Sequence, residues 1–370
     1  MLRKELAVQA KDLQSAWCLV FLCVLLAVPQ TGWAKWYLLA SVHPNNLVIV
    51  DTETDKVVKE IALEGRGPAL NIAPNPARPQ FAYVVNNLAQ SVAMVDLDEG
   101  KQVRSFDLSN DDELVRTMAI DVNTQGTRLF VHEMPIKKDL GRYTALENRI
   151  RVINLETNDT VTTFPAPRQV MGLASSKDGK RLYLFSVGQD IFVHDTEDGT
   201  LLDTIPLANR NISGIARTDG LPLGGNYQES GHLVSFGTFT LDSITNQTTL
   251  GIGTLDLTLE APELEIVELQ PFDESEYVIT GSLSPHTNKA YFAYNNLWKV
   301  DAKTRYIEKK VALSNTYFAA LIHPEGKKVY CGSNWHDVAV FDADSLDLIT
   351  KIPLGHTQTG GVSVLRFVNR

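Results

Sequence analysis

Residues 45–63, NNLVIVDTETDKVVKEIAL, read as an apolar strand, a tight polar turn and a second strand, and the chain repeats this unit six more times. The copies are QSVAMVDLDEGKQVRSFDL from Gln90, NRIRVINLETNDTVTTFPA from Asn148, QDIFVHDTEDGTLLDTIPL from Gln189, GIGTLDLTLEAPELEIVEL from Gly251, NNLWKVDAKTRYIEKKVAL from Asn295 and HDVAVFDADSLDLITKIPL from His336. The residue closing each first strand is Asp51, Asp96, Asn154, Asp195, Asp256, Asp301 or Asp342, at spacings of 45, 58, 41, 61, 45 and 41 residues. Repetition at this period marks propeller blades or another repeat array.

Each unit holds four strands. A turn and a strand precede the quoted pair, as in SKDGKRLYLFS from Ser176 and HPEGKKVYCGS from His323, and a short apolar strand such as VMGLASS or YFAALIH comes before that. Asp-Gly and Glu-Gly supply the positive φ that hairpin turns need. NLVIV and VAMV are apolar on both faces, which suits sheets covered on both sides by neighbouring sheets. Near the N-terminus KWYLLAS matches a second strand with no first strand before it, while the chain ends on the spare strand GGVSVLRFV. The C-terminal strand is therefore expected to join the N-terminal blade and close an all-β, seven-bladed propeller of four-stranded antiparallel blades, leaving no open edge. No helical patterning is present after the first 34 residues.

Those residues have their own character. Arg3, Lys4 and Lys11 precede AWCLVFLCVLLAV, and Gly32 and Ala34 offer the small residues of a cleavage site. The apolar run is 13 residues, short of the roughly 20 that span a bilayer. The expectation is a cleaved signal peptide over 1–34, a propeller over 35–370, a periplasmic location and no membrane association after cleavage. Cys18 and Cys23 leave with the signal, so Cys331 remains as a single buried thiol and no internal disulfide can form. The net charge of -10, becoming -11 on cleavage, carries no basic cluster to offset it and argues against a nucleic-acid partner. A hydrophobic content of 44% with 21% charged residues is that of an ordinary globular protein.

Signatures of catalysis are missing from the sequence. The GRG at 65–67 and GIG at 251–253 lack a strand-loop-helix context, and there is no Gly-x-Ser-x-Gly, His-Glu-x-x-His, Cys-x-x-Cys or Cys-x-x-Cys-His. The repeated Asp residues invite a metal reading, but seven equivalent positions in seven blades cannot converge on one ion, and an Asp opening a turn accepts hydrogen bonds from backbone N–H groups two residues on. The His residues at 43, 132, 194, 232, 286, 323, 336 and 356 are scattered among turns and strands and read as turn or packing residues. A metal-dependent lactonase would need carboxylates and Asn converging from several inner strands, and LNIAPN, TMAIDVN, VMGLASS and YFAALIH offer few.

With the first strand of each unit innermost, the loops joining strand two to three and strand four to the next blade share one face. That face collects the irregular segments: the insertion HEMPIKKDLGRYTALEN at 132–148, APRQ at 166–169, SNTYF at 314–318 and SNWHD at 333–337. Loops held on a rigid scaffold carry function, and basic, aromatic and apolar residues meeting there suit a docking surface. The fifth unit is also extended, over 220–253, as a lengthened hairpin.

Several segments carry a family resemblance. AYVVNN at 82–87 and AYNN at 293–296 resemble the signature of bacterial YVTN propellers, and APRQVMGLA at 166–174, AYNNLWKVDAKT at 293–304 and GGVSVLRF at 360–367 are similar to the β subunit of quinohemoprotein amine dehydrogenase. The resemblance implies a periplasmic heterotrimer that oxidises primary amines to aldehydes. It implies a dihaem cytochrome α subunit with two c-type haems, a small γ subunit bearing cysteine tryptophylquinone, and a β propeller that binds no cofactor alone and walls the substrate pocket. On that reading this chain has no catalytic site of its own; Tyr317 and Phe318 are candidate pocket wall, and Glu133, Arg168 and Trp335 candidate interface residues. The alternatives are the heavy subunit of methylamine dehydrogenase and a YVTN-type binding scaffold with no redox partner.

Overall fold

In the computed structural model the described residues are 34–207, 215–221, 227–228, 232–242, 244–273, 275, 278–333, 335, 337–354 and 362–370. The expected signal segment lies outside them except for Ala34, as do Asn334, His336 and the start of the last quoted segment.

Seven antiparallel sheets follow one another around a channel. Blade 2 shows the plan, from inside outward: Ile72–Pro74, Phe81–Asn86, Ser91–Asp96 and Lys101–Asp107. The inner strands of blades 3 to 7 are Ile120–Val122, Val170–Ser175, Ile215–Leu221, Val278–Leu283 and Tyr317–Ile322. Blade 1 takes its three outer strands from the N-terminus, Trp36–Val42, Asn46–Asp51 and Lys56–Ala62, and its inner strand, Val362–Asn369, from the C-terminus. The closing register runs from Trp36 against Asn369 to Val42 against Val362. The expected closure is therefore present, and every blade holds the expected four strands.

Alternation explains why the strands are apolar throughout. Leu38, Ala40, Val48 and Val50 pack against Leu321, Tyr330 and Val340 of blade 7, whereas Leu39, Leu47 and Ile49, between them in sequence, pack against Ile72, Ala82 and Val84 of blade 2. Successive side chains of one strand thus enter two different cores. Fully burying each such side chain contributes about 1.5–3 kcal/mol. The seven repeated turn residues behave alike. Oδ1 of Asp51, Asp96, Asn154, Asp195, Asp256 and Asp342 accepts from the backbone N–H two residues on, and that of Asp301 from Thr304, three on. Gly179 and Gly326, at φ 73° and 76°, supply the left-handed position in two of the inner hairpin turns.

Blade 3 departs from the plan. Its second strand, Arg128–Asp139, pairs within the blade over 128–133 and then continues outward, flanked by Glu113–Arg116 on one side and Arg142–Ala145 on the other. The insertion is thus a three-stranded extension of the blade, and one of its strands comes from the connection leading into the blade. Among the described residues no helix is long and apolar enough to cross a membrane.

Candidate functional site

The strand order places Glu133, Arg168, Tyr317, Phe318 and Trp335 on the face expected to carry function, and the structure gathers them into two groups. Glu133 and Arg168 belong to blades 3 and 4. His132 and Pro167 join these neighbours, the imidazole Nε2 donating to the Pro167 carbonyl at 3.2 Å. His132 is fully buried and burial lowers its pKa to about 4, so it is neutral there. Glu133 has no exposed side-chain surface; its carboxylate takes Nε of Arg149 at 2.6 Å and is paired with Arg151, while Arg149 also reaches Glu113 at 2.7 Å. This cluster ties the second and third strands of the blade to Glu113, on one flank of its extension. Arg168 is exposed.

Tyr317, Phe318 and Trp335 belong to blade 7. Tyr317 opens the inner strand and pairs in register with Ser333. It is buried, and burial pushes its phenol up to about 12, with the Asp337 carboxylate adding to the effect. Phe318 is 36% exposed and meets the ring of Tyr294 edge-on at 5.5 Å. Trp335 is 51% exposed, on a loop held by Ser333, whose Oγ accepts from the Trp335 N–H and donates to Asp337 Oδ1 at 2.6 Å. This group belongs to blade 7, whereas Glu133 and Arg168 belong to blades 3 and 4.

Reading single loops missed how the exposed apolar groups distribute. Among the described residues, this face also exposes Leu88, Leu140, Tyr143, Ile244 and Phe272; beside the turns of the opposite face Leu201, Leu259, Tyr306 and Leu348 are exposed, and the outer strands expose Val58, Val103, Val161, Leu202 and Ile349 as well. Leu88 sits on a turn in which Asn87, Leu88 and Ala89 have φ of 49°, 58° and 65°. A left-handed conformation costs a side-chain-bearing residue about 1–2 kcal/mol, and strain of this kind collects where function demands a particular shape.

A second feature lies at the other mouth of the channel, where the inner strands end. A cavity of about 210 Å³ has an exposed rim that includes Pro76 and Asn369, and a floor of Asp121, Ser175 and Arg366. Asp121 Oδ2 accepts from Ser175 N–H at 2.7 Å and Ser175 Oγ at 2.6 Å, and Arg366 donates to the Ile72 carbonyl at 3.2 Å. Asp121 and Arg366 are 7% and 4% exposed. Burial raises the Asp121 pKa to about 6, against the opposing pull of Ser175 and of the Arg366 charge. The inner-strand segment TMAIDVN was read as poor in functional groups, and the missed signal was an Asp in it answered by an Arg in the closing strand.

No family model matches the sequence, and no curated protein matches it. Solved structures do resemble the chain in fold. Hydrazine synthase of Kuenenia stuttgartiensis is 16% identical with a TM-score of 0.57, covering 82% of this chain and 90% of that one. A functionally unknown protein from Desulfotomaculum acetoxidans DSM 771 is 13% identical at 0.56, covering 90% and 99%. Dihydro-heme d1 dehydrogenase NirN, in complex with DHE, is 11% identical at 0.52, covering 90% and 76%. At these identities the likeness is one of propeller architecture.

Proposed function

We propose that this chain is the cofactor-free propeller subunit of a periplasmic amine-oxidising complex of the quinohemoprotein amine dehydrogenase kind. The observation that carries the reading is the exposure of Leu88, Leu140, Tyr143, Phe318 and Trp335 on the loops and the braced extension of one face. Apolar and aromatic side chains held at the tips of loops suit a surface that a partner covers. The segments at 166–174, 293–304 and 360–367 that resemble the β subunit supply the identity of that partner. Two of the similar propellers are named as enzymes, a hydrazine synthase and a dihydro-heme d1 dehydrogenase, which is a parallel of fold.

The residues of this chain suit a supporting role. Its remaining thiol, Cys331, is fully buried and burial drives its pKa well above the usual thiol range, so it is fit neither for attaching a haem nor for forming a quinone cross-link. The quinone and the haems belong, on this reading, to partner chains, where they supply the carbonyl that condenses with an amine and the acceptors for its electrons. What this chain contributes is a rigid apolar wall: Phe318 held by Tyr294, and Trp335 held by Ser333, would keep water from the reacting groups once the partner is seated. The test is a visible spectrum of the complex isolated with this chain from its native host. Bands of c-type haem that become reduced on adding a primary amine are expected; a chain that carries no haem protein with it overturns the reading.

A further inference from the structure

The docking face leaves the opposite mouth of the channel unexplained, and the cavity there is built like a binding site. Its walls are apolar: Trp36, Pro74, Pro79 and Phe367 surround the space, and Trp36 and Phe367 meet edge-on at 6.5 Å. Its floor carries the carboxylate of Asp121. From these elements we propose that the channel mouth binds a small organic cation, its charged nitrogen on the Asp121 carboxylate and its apolar body against Trp36, Phe367 and the prolines.

The size of the ligand follows from the volume. An apolar cavity of roughly 150 Å³ holds benzene, so about 210 Å³ accommodates a body of about nine non-hydrogen atoms. The sign of its charge follows from the floor. Asp121 and Arg366 both lie at the floor, but Arg366 directs an N–H at the Ile72 carbonyl of the neighbouring inner strand. The carboxylate is held by Ser175 and still retains its proton more firmly than an ordinary aspartate, because burial outweighs the Arg366 charge. A positive group entering the cavity supplies the compensation that the lost water took away. His232, the remaining titratable group of the lining, has its pKa lowered by burial and adds no positive charge near neutrality. The indole of Trp36 favours a cation in the same way, through the negative face of its ring. The chain as a whole is negative, at -10, which steers cations toward it.

This site does not depend on the amine dehydrogenase reading, since it lies on the opposite face and needs no partner. The test uses three molecules of one shape and different charge, benzamidinium, benzamide and benzoate, titrated calorimetrically into the purified protein at pH 7.5. Benzamidinium is expected to bind one-to-one and at least ten-fold more tightly than the other two, and Asp121→Asn is expected to remove that preference. Should that variant not fold, Trp36→Ala, at a half-buried wall residue, is expected to weaken benzamidinium several-fold. Benzoate or benzamide binding as well as benzamidinium, no binding by any of the three at millimolar concentration, or undiminished preference in the variants would overturn the proposal.

Discussion

Asp121 is a residue whose behaviour the geometry makes measurable. Unfolded, an aspartate ionises near pH 4; folded, this one keeps its proton to about 6. Between those values the folded state binds more protons, so the contribution of Asp121 to stability falls as pH rises through the window and is lowest above it. Asn in its place accepts from Ser175 without titrating. The melting temperature of the wild type relative to Asp121→Asn is therefore expected to decline from pH 4 to 6.5, and parallel curves would contradict the assignment. Glu133 gives the opposite kind of result. Removing it takes a carboxylate from both Arg149 and Arg151, but Arg149 keeps Glu113 and both arginines keep some water contact. Glu133→Ala is expected to cost about 3 kcal/mol in denaturant unfolding, the lower end of what breaking a buried pair costs. In the left-handed turn, Ala89→Gly relieves about 1–2 kcal/mol of positive-φ strain but loses a buried methyl, about 0.8 kcal/mol, and adds free-chain entropy, about 0.5–1 kcal/mol, so denaturant unfolding is expected to show a change of less than about 1 kcal/mol.

At the scale of elements, the repeat was legible and its exception was only half so. Each Asp or Asn that ends a third strand could be read from the sequence, because the Asx turn it forms is local and needs no partner from another blade. The insertion at 132–148 was visible as a departure from the period. Its partner strand, Glu113–Arg116, was not, because it lies in the connection before the blade and pairs only through the outward run of Arg128–Asp139. The tip of this extension exposes Leu140 and Tyr143 beside Lys137 and Arg142. Since these side chains touch little of the fold, the double change Leu140→Asp, Tyr143→Asp is expected to leave the melting temperature within about a degree or two of wild type while it releases the chain from the proposed complex on size-exclusion chromatography. An unchanged elution position would show that the extension does not dock.

The whole molecule is held by one closure. Leu365, Phe367 and Val368 are fully or nearly buried in the inner strand of blade 1, and Arg366 on the same strand reaches Ile72, 294 residues away in sequence. The closure could be read from the ends of the sequence, one lacking a strand and the other having one to spare. The channel pair could not, since neither Asp121 nor Arg366 stands out until the fold brings inner strands of different blades together. The candidate interface residues were legible as loop positions but not as roles: the fold buries Glu133 and Tyr317, and leaves Phe318 and Trp335 to face outward. The exposed apolar side chains of this face come from blades 2, 3, 5 and 7, and a partner seated on them has one direct consequence. The measurement that tests it is native mass spectrometry of the protein drawn intact from its native host. The account predicts an assembly whose mass exceeds one chain by a haem-bearing and a quinone-bearing subunit; a mass of one chain alone would contradict it and leave a propeller that works by itself.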